Sequence, residues 1–365
     1  MPPLFPFTER AMSISLRLVG TLSGDHLASS AIARPGVSGQ AGGMTSAADE
    51  TRDGVKLTNL DQELFDGAGA TKRDLVDYLD AIDERILGEL RDRPLSVIRV
   101  THGQAPFMQK NVPKYTPDWV ATLPVWAEAS KRTVSYALCN DRRTLLWFAN
   151  QRAVEYHPTL GRADRLDRAT HLVLDIDPPE GGSFSAPVHA AHLIHEVLDE
   201  CGLAGAVKTS GAKGLHIFVP IDSSVTMEDA AAATRAIALR AEQRDPAATT
   251  TAFMKADRGG KVFLDATRAG GATVVAAYSP RARPGVPVSF PVAWSDLDDI
   301  TPSDFTILNA AQLLADRDPW ADALPPPQLI PGAVLAEGHA IPIPRVAAMH
   351  EGKRRARAAK KSAGE

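Results

Sequence analysis

The stretch His171-Leu172-Val173-Leu174-Asp175-Ile176-Asp177-Pro178-Pro179 decides how this chain is read. Its apolar, β-branched run predicts a strand, halted where two prolines remove backbone donors. Residues two apart on a strand share a face, so Asp175 and Asp177 project together while Ile176 packs into the core. Two adjacent carboxylates repel unless cations neutralise them. Hard oxygen ligands favour magnesium or manganese over zinc. An ordinary acidic strand end is the plainer alternative, and a bare D-x-D does not choose between the two. A third acid favours the ions. Lys261-Val262-Phe263-Leu264-Asp265 reads as a strand ending in one carboxylate. Three acids on adjacent strands can hold two divalent ions about 3.5–4 Å apart, an arrangement that serves in-line phosphoryl or nucleotidyl transfer.

Between these acids lies Lys208-Thr209-Ser210-Gly211-Ala212-Lys213-Gly214-Leu215-His216. The order of a Walker loop is absent. The segment reads as a glycine-softened turn joining strands 205–209 and 215–221. Its glycines let backbone N–H groups approach a phosphate. Ser210, Lys213 and His216 add a hydroxyl, an ammonium and an imidazole, although for the loop alone an ordinary hairpin with incidental polar residues is the favoured reading.

Outward from this centre, Thr71 and Asp74 resemble a capping box. Leu75, Leu79, Ile82, Ile86 and Leu90 continue it as the apolar stripe of one helix. Further strands are expected at 95–100, 133–138 and 272–278, and helices at 142–153, 187–201 and 227–244. His189, His192 and His195 span too much of a helix circumference to share one metal, so they read as core or surface histidines. Several strands lie close enough for hairpins, which predicts an α+β fold with a mixed or largely antiparallel sheet flanked by helices.

The net charge of -4 over 365 residues argues against a nucleic-acid partner only as an average. Residues 91–115, 251–290 and 351–365 each carry +4, leaving -16 for the remainder. That asymmetry suits a phosphate-binding face on an otherwise acidic protein, with solvated surface charge as the alternative for any one segment. Cys139 and Cys201 are too few for a disulfide framework or a four-cysteine zinc site and fit a reducing, cytoplasmic compartment. No run of 18 apolar residues offers a membrane span.

Taken together, these segments resemble the primase-polymerases of the archaeo-eukaryotic primase superfamily, above all the polymerase domain of bacterial DNA ligase D. The resemblance covers about residues 55–310. It rests on L-T-N-L-D (57–61), T-K-x-D-L (71–75), H-L-V-L-D-I-D-P-P-E-G (171–181), V-K-T-S-G-A-K-G-L-H (207–216), K-V-F-L-D (261–265) and A-Y-S-P-R-A-R-P-G (277–285). It implies a primase-polymerase core at 131–310, an N-terminal α/β subregion at 55–130, a flexible leader at 1–54, an extension at 311–350 and a basic tail at 351–365.

The resemblance assigns roles residue by residue. Asp175, Asp177 and Asp265 are the expected metal-binding catalytic carboxylates for two Mn2+ or Mg2+ ions. Ser210, Lys213, His216, Arg281, Arg258 and His157 are the expected NTP or dNTP contacts. Asn59, Lys72, Phe107 and Lys110 are the expected DNA contacts. Gln62 stands where the family usually places a second phosphate-gripping lysine, so recognition of a broken end is expected to be weaker or differently arranged. Met108 replaces the second aromatic of a Phe-Phe pair, and Ala266 stands where an aromatic is usual.

The implied activity is template-dependent addition of nucleotides to a primer 3′-hydroxyl in short-gap filling, on primed, gapped or broken DNA. A stand-alone, nucleoid-associated enzyme is expected, partnered by a separate ligase and an end-binding protein such as Ku. The alternatives are a two-metal phosphodiesterase or nuclease and a catalytically inactive DNA-end-binding scaffold.

Overall fold

Alternation within His171–Asp177 divides this strand between two environments. Leu172, Leu174 and Ile176 are at most 1% exposed, and the helices at 185–200 and 227–244 pack against the strand. Val173, Asp175 and Asp177 take the other face. The computed structural model describes residues 50–343 apart from 102, 128–130 and 271. The expected leader up to residue 49 and the basic tail at 351–365 lie outside the described residues.

In chain order the elements are β1 (Thr51–Arg52), β2 (Val55–Lys56), α1 (Lys72–Ala81), α2 (Asp83–Leu90), β3 (Pro94–Thr101), β4 (Gln104–Gln109), β5 (Thr122–Ala127), β6 (Arg132–Leu138), α3 (Arg142–Asn150) and β7 (Ala153–Pro158). They continue with β8 (His171–Asp177), α4 (Ser185–Glu200), β9 (Ala206–Thr209), β10 (Leu215–Pro220), α5 (Met227–Arg244), β11 (Thr249–Thr250), β12 (Val262–Asp265), β13 (Pro291–Val292), α6 (Ala310–Leu314), α7 (Pro319–Ala323) and α8 (Gly332–Ala340).

Two main sheets result. One runs β11-β12-β8-β10-β9-β13 and is antiparallel except for β11 with β12. The other runs β4-β3-β6-β5, with β7 also paired to β3. Helices flank antiparallel sheets, so the fold is α+β. No described helix is long and apolar enough to cross a membrane.

The predicted strand at 272–278 is instead an irregular seam between the sheets. Ala276 N–H donates to Tyr156 O in β7, while Tyr278 N–H donates to Ser289 O beside β9. Tyr278 also has a φ of +66°, which breaks a regular ladder. The stripe from Leu75 to Leu90 divides into α1 and α2 at Ile82, whose φ of -117° leaves the helical range; nothing in the sequence there compels the break. The predicted helix at 142–153 ends at Asn150, because residues from Ala153 onward join β7.

Described residues beyond 310 pack into the same core, among them Leu314, Trp320, Ile330 and Val334. Trp320 is 2% exposed, with its ring edge-on to Phe218 at 5.4 Å. In α8, a side chain at Gly338 would meet Ala232 O of α5 at 1.9 Å, so only glycine permits this helix contact.

Candidate active site

Strand register assembles the acidic centre. Asp265 of β12 pairs with Asp175 of β8, which pairs with His216 of β10, which pairs with Lys208 of β9. Directly opposed residues in antiparallel strands share a face. One row across four strands therefore carries two acids, an imidazole and an amine. Asp177 follows two positions after Asp175 on the same face. Carboxylate oxygens of Asp175, Asp177 and Asp265 lie within 4.8 Å of one another.

Burial raises the cost of charge in this cluster, and the two acids of β8 respond in opposite directions. His216 and Arg268 outweigh burial at Asp175 and hold its carboxyl down to about 2. Asp177 is pushed up to about 6 by burial and by the charges of Asp175 and Asp265. Added cationic charge would relieve that repulsion, so the donor set suits divalent metal.

His216 is held from both sides. Its Nε2 lies 3.2 Å from Asp175 Oδ1, and its Nδ1 lies 2.9 Å from Lys208 Nζ. Lys208 is wholly buried and also donates to Ser289 Oγ at 2.6 Å. The ionised Asp175 carboxylate can only accept, so the proton of the neutral imidazole sits on Nε2, toward Asp175, and Nδ1 is left to accept from Lys208. Burial and the neighbouring Lys208 push the imidazole down to about 4. Both ring nitrogens are thus engaged, and His216 faces the carboxylate rather than presenting an open nitrogen to the cleft.

Sequence reasoning gives Lys208 no role of its own and misses Arg268. The Arg268 Nε lies 2.9 Å from Asp175 Oδ2 and 3.3 Å from Asp265 Oδ2. Its position three residues after Asp265 is the available signal.

The loop between β9 and β10 is shaped by its own hydroxyl. Ser210 Oγ accepts from the N–H groups of Ala212 and Gly214 at 3.2 and 3.1 Å. Arg281 Nη1 donates to Ser210 O, and Arg281 Nε lies 3.1 Å from Glu155 Oε2. Glu155 also meets His157 Nε2 at 2.9 Å and accepts from Ala282 N–H at 3.0 Å. Burial opposes its charge, but His157, Arg281 and that N–H hold Glu155 down to about 2. Burial lowers His157 against the pull of Glu155. Glu155 is therefore a buttress of the site that the sequence does not reveal.

Arg258 lies over the Phe263 ring at 3.6 Å and donates to Ala252 O and Phe253 O. These groups line one cleft of about 610 Å³ that contains Asp175, Asp177, Ser210, Lys213, His216, Arg258, Arg281 and His157. Lys255, Lys261, Arg268 and Arg283 also border it.

The expected DNA contacts lie away from this cleft's lining. Phe107 and Met108 stand 40% and 45% exposed on edge strand β4, with Arg99 5.8 Å from the Phe107 ring. Lys110 is exposed beyond that strand, and Asn59 is exposed with a φ of +54°. Lys72 is 2% exposed, and its ammonium donates to Thr58 O and to Asn150 Oδ1 at 2.7 Å. Burial pushes it down to about 8. Gln62 Oε1 accepts from Arg152. The three histidines of α4 diverge: His189 pairs with Asp245, His192 pairs with Asp298 and His195 stacks on Trp294.

The family described as "LigD, primase-polymerase domain" matches residues 71–320. The multifunctional non-homologous end joining protein LigD of Mycobacterium bovis is 34% identical over 268 residues, covering 70% of this chain and 34% of the relative. The bifunctional non-homologous end joining protein LigD of Bacillus subtilis is 32% identical over 258 residues, covering 69% of this chain and 41% of that protein. The chain thus spans about a third to two fifths of these relatives. The solved polymerase domain of Mycobacterium tuberculosis ligase D in complex with DNA matches at a TM-score of 0.68 and 31% identity, over 74% of this chain and 97% of that structure. Strand register, acidic cluster and sequence similarity agree: the chain belongs to the LigD primase-polymerase domain family, a family of nucleotidyl-transferring enzymes.

Proposed function

We propose that this protein is a template-dependent polymerase that fills short gaps during DNA break or excision repair. It would join an incoming NTP or dNTP to a primer 3′-hydroxyl. The 3′-oxygen bonds to the α-phosphorus, the bond to the bridging oxygen breaks, pyrophosphate leaves and the hydroxyl proton is lost. The observation that carries this reading is a cluster of three carboxylates within 4.8 Å of one another, two of which, Asp175 and Asp177, line a cleft bordered by Lys213, Lys255, Lys261, Arg258, Arg268, Arg281 and Arg283. A nucleoside triphosphate needs that combination of acid cluster and cationic wall.

Asp175, Asp177 and Asp265 would hold two Mn2+ or Mg2+ ions, which when bound supply charge neutralisation at the phosphates and the attacking oxygen. Lys213, Arg281 and the N–H groups of the Ser210 loop would bind the triphosphate. Arg258 and His157 would orient the nucleotide. His216 would act by fixing the Asp175 carboxylate. Phe107 offers a stacking surface for a template base with Met108 as an apolar neighbour, and Asn59 and Lys110 offer exposed phosphate contacts, whereas Lys72 would reach a phosphate only by leaving Thr58 and Asn150. A separate ligase and an end-binding protein such as Ku are the proposed partners, at a nucleoid-associated cytoplasmic site.

Incubation with a primed, gapped duplex, labelled nucleotide and Mn2+ tests this reading. Wild type should extend the primer, and D175A/D177A should lose at least a thousandfold of the rate. Failure of wild type to extend, or equal extension by the double variant, would sink the polymerase mechanism.

A further inference from the structure

We propose that Arg268 is a resident counter-cation of the acidic cluster, displaced when divalent metal enters and therefore setting the metal affinity of the site. The inference rests on reading the three acids as a metal site.

One oxygen of each facing acid is already committed. Asp175 Oδ1 faces His216 Nε2 at 3.2 Å. Asp265 Oδ1 accepts from Thr267 N–H at 2.8 Å and from Thr267 Oγ1 at 2.6 Å. Those partners are fixed by strand pairing and by a tight local turn. The other oxygen of each acid, Oδ2, meets Arg268 Nε at 2.9 and 3.3 Å. An ion held by both Asp175 and Asp265 would compete with Arg268 for their Oδ2 oxygens. A guanidinium and a divalent ion cannot share them without strong repulsion.

Arg268 is also able to leave. Its side chain is 38% exposed, against 10% and 9% for the carboxylates it contacts. It borders the open cleft. Two other arginines at the site are tied elsewhere, Arg258 to backbone carbonyls and Phe263, Arg281 to Glu155 and Ser210.

Mn2+ binding to the full-length protein, measured by the paramagnetic resonance signal of free Mn2+, is the test. R268Q should bind Mn2+ about tenfold more tightly than wild type, a change worth about 1.4 kcal/mol. K255Q removes a cleft cation whose ion pair is with Glu180, outside the cluster, and should shift the constant less than twofold. An R268Q constant within twofold of wild type, or no tighter than that of K255Q, overturns the proposal. Wild type supplies a second readout that needs no folded variant. Modification of Arg268 by phenylglyoxal, followed by peptide mass spectrometry, should be faster with saturating Mn2+ than with EDTA; an equal or slower rate also overturns it. If wild type binds no Mn2+ at all, the metal-site reading itself fails, which is a separate result.

Discussion

At the scale of single residues, Lys208 is the group whose chemistry the sequence least reveals. A wholly buried amine is costly unless its hydrogen bonds are complete. Here Nζ donates to His216 Nδ1 and to Ser289 Oγ, while the Ser289 hydroxyl donates onward to Thr209 O. Burial, with Arg281 nearby, drives its pKa well below the usual lysine range. Under the proposed function this amine would hold in place the imidazole that faces Asp175. K208M keeps length and apolar bulk but leaves Nδ1 without its donor. Loss of such an orienting partner typically costs 10–100-fold. We expect kcat/KM for nucleotide addition to fall by about that factor while the melting temperature holds or rises, since no desolvated amine remains. The pH profile supplies a sharper readout. Lys208 is one of the causes holding His216 down to about 4. Without it the imidazole protonates at higher pH, so the acid limb of the rate profile should move upward. Steady-state kinetics between pH 4 and 8 with calorimetry on both proteins would show it; unchanged rates would deny Lys208 the positioning role.

At the scale of elements, the close approach of β10 to β8 is what places the acids. A β-carbon at Gly214 would sit 1.9 Å from Ile176 O, backbone that lies between Asp175 and Asp177. G214A must therefore push the strand pair apart. Overpacking of this kind costs about 1–3 kcal/mol, or several degrees in melting temperature. Polymerase activity should fall further than stability, because the displaced backbone carries Asp175 and Asp177, two of the three proposed metal-binding acids. Gly88, inside α2 with nothing within 4 Å of an added methyl, is the matched control. G88A should stabilise by about 0.5–1 kcal/mol through helix propensity. Equal melting temperatures for the two variants would contradict this account. These elements also show what is legible in sequence. β8 and α5 carry strong periodicity and clear stops, and their predicted bounds, 171–177 and 227–244, coincide with the structure. The acids are legible because each ends an apolar strand. The strand order that joins Asp265 to Asp175 and His216 to Lys208 is not, since register is long-range information. β4, β5 and β7 escape sequence reading because their exposed or short runs carry weak alternation. Glu155 and Arg268 escape it because their roles depend on partners far away in sequence or on the bend of a turn.

At the scale of the whole molecule, a net charge of -4 coexists with a cationic cleft. Association with DNA depends on where charge lies, because phosphate contacts release counterions locally. Segment 91–115 is the basic stretch that contains the exposed aromatic strand β4, and much of its charge is already committed. Arg99 donates to Gln151 O, Gln109 Oε1 and the Tyr115 hydroxyl. Arg93 is buried and donates to Leu160 O and Thr170 Oγ1. Lys110 is exposed just beyond β4. If Lys110 contacts a phosphate, K110Q should weaken binding to a gapped duplex by a similar factor for every sequence tested. It should also reduce the slope of log affinity against log salt by about 0.9, the contribution of one phosphate contact on duplex DNA. Arg93→Gln, removing a charge that is internally engaged, should leave that slope unchanged in whatever fraction folds. Fluorescence anisotropy across a salt series gives both slopes. An unchanged slope in K110Q would place the DNA path elsewhere and detach the basic segment 91–115 from nucleic-acid recognition.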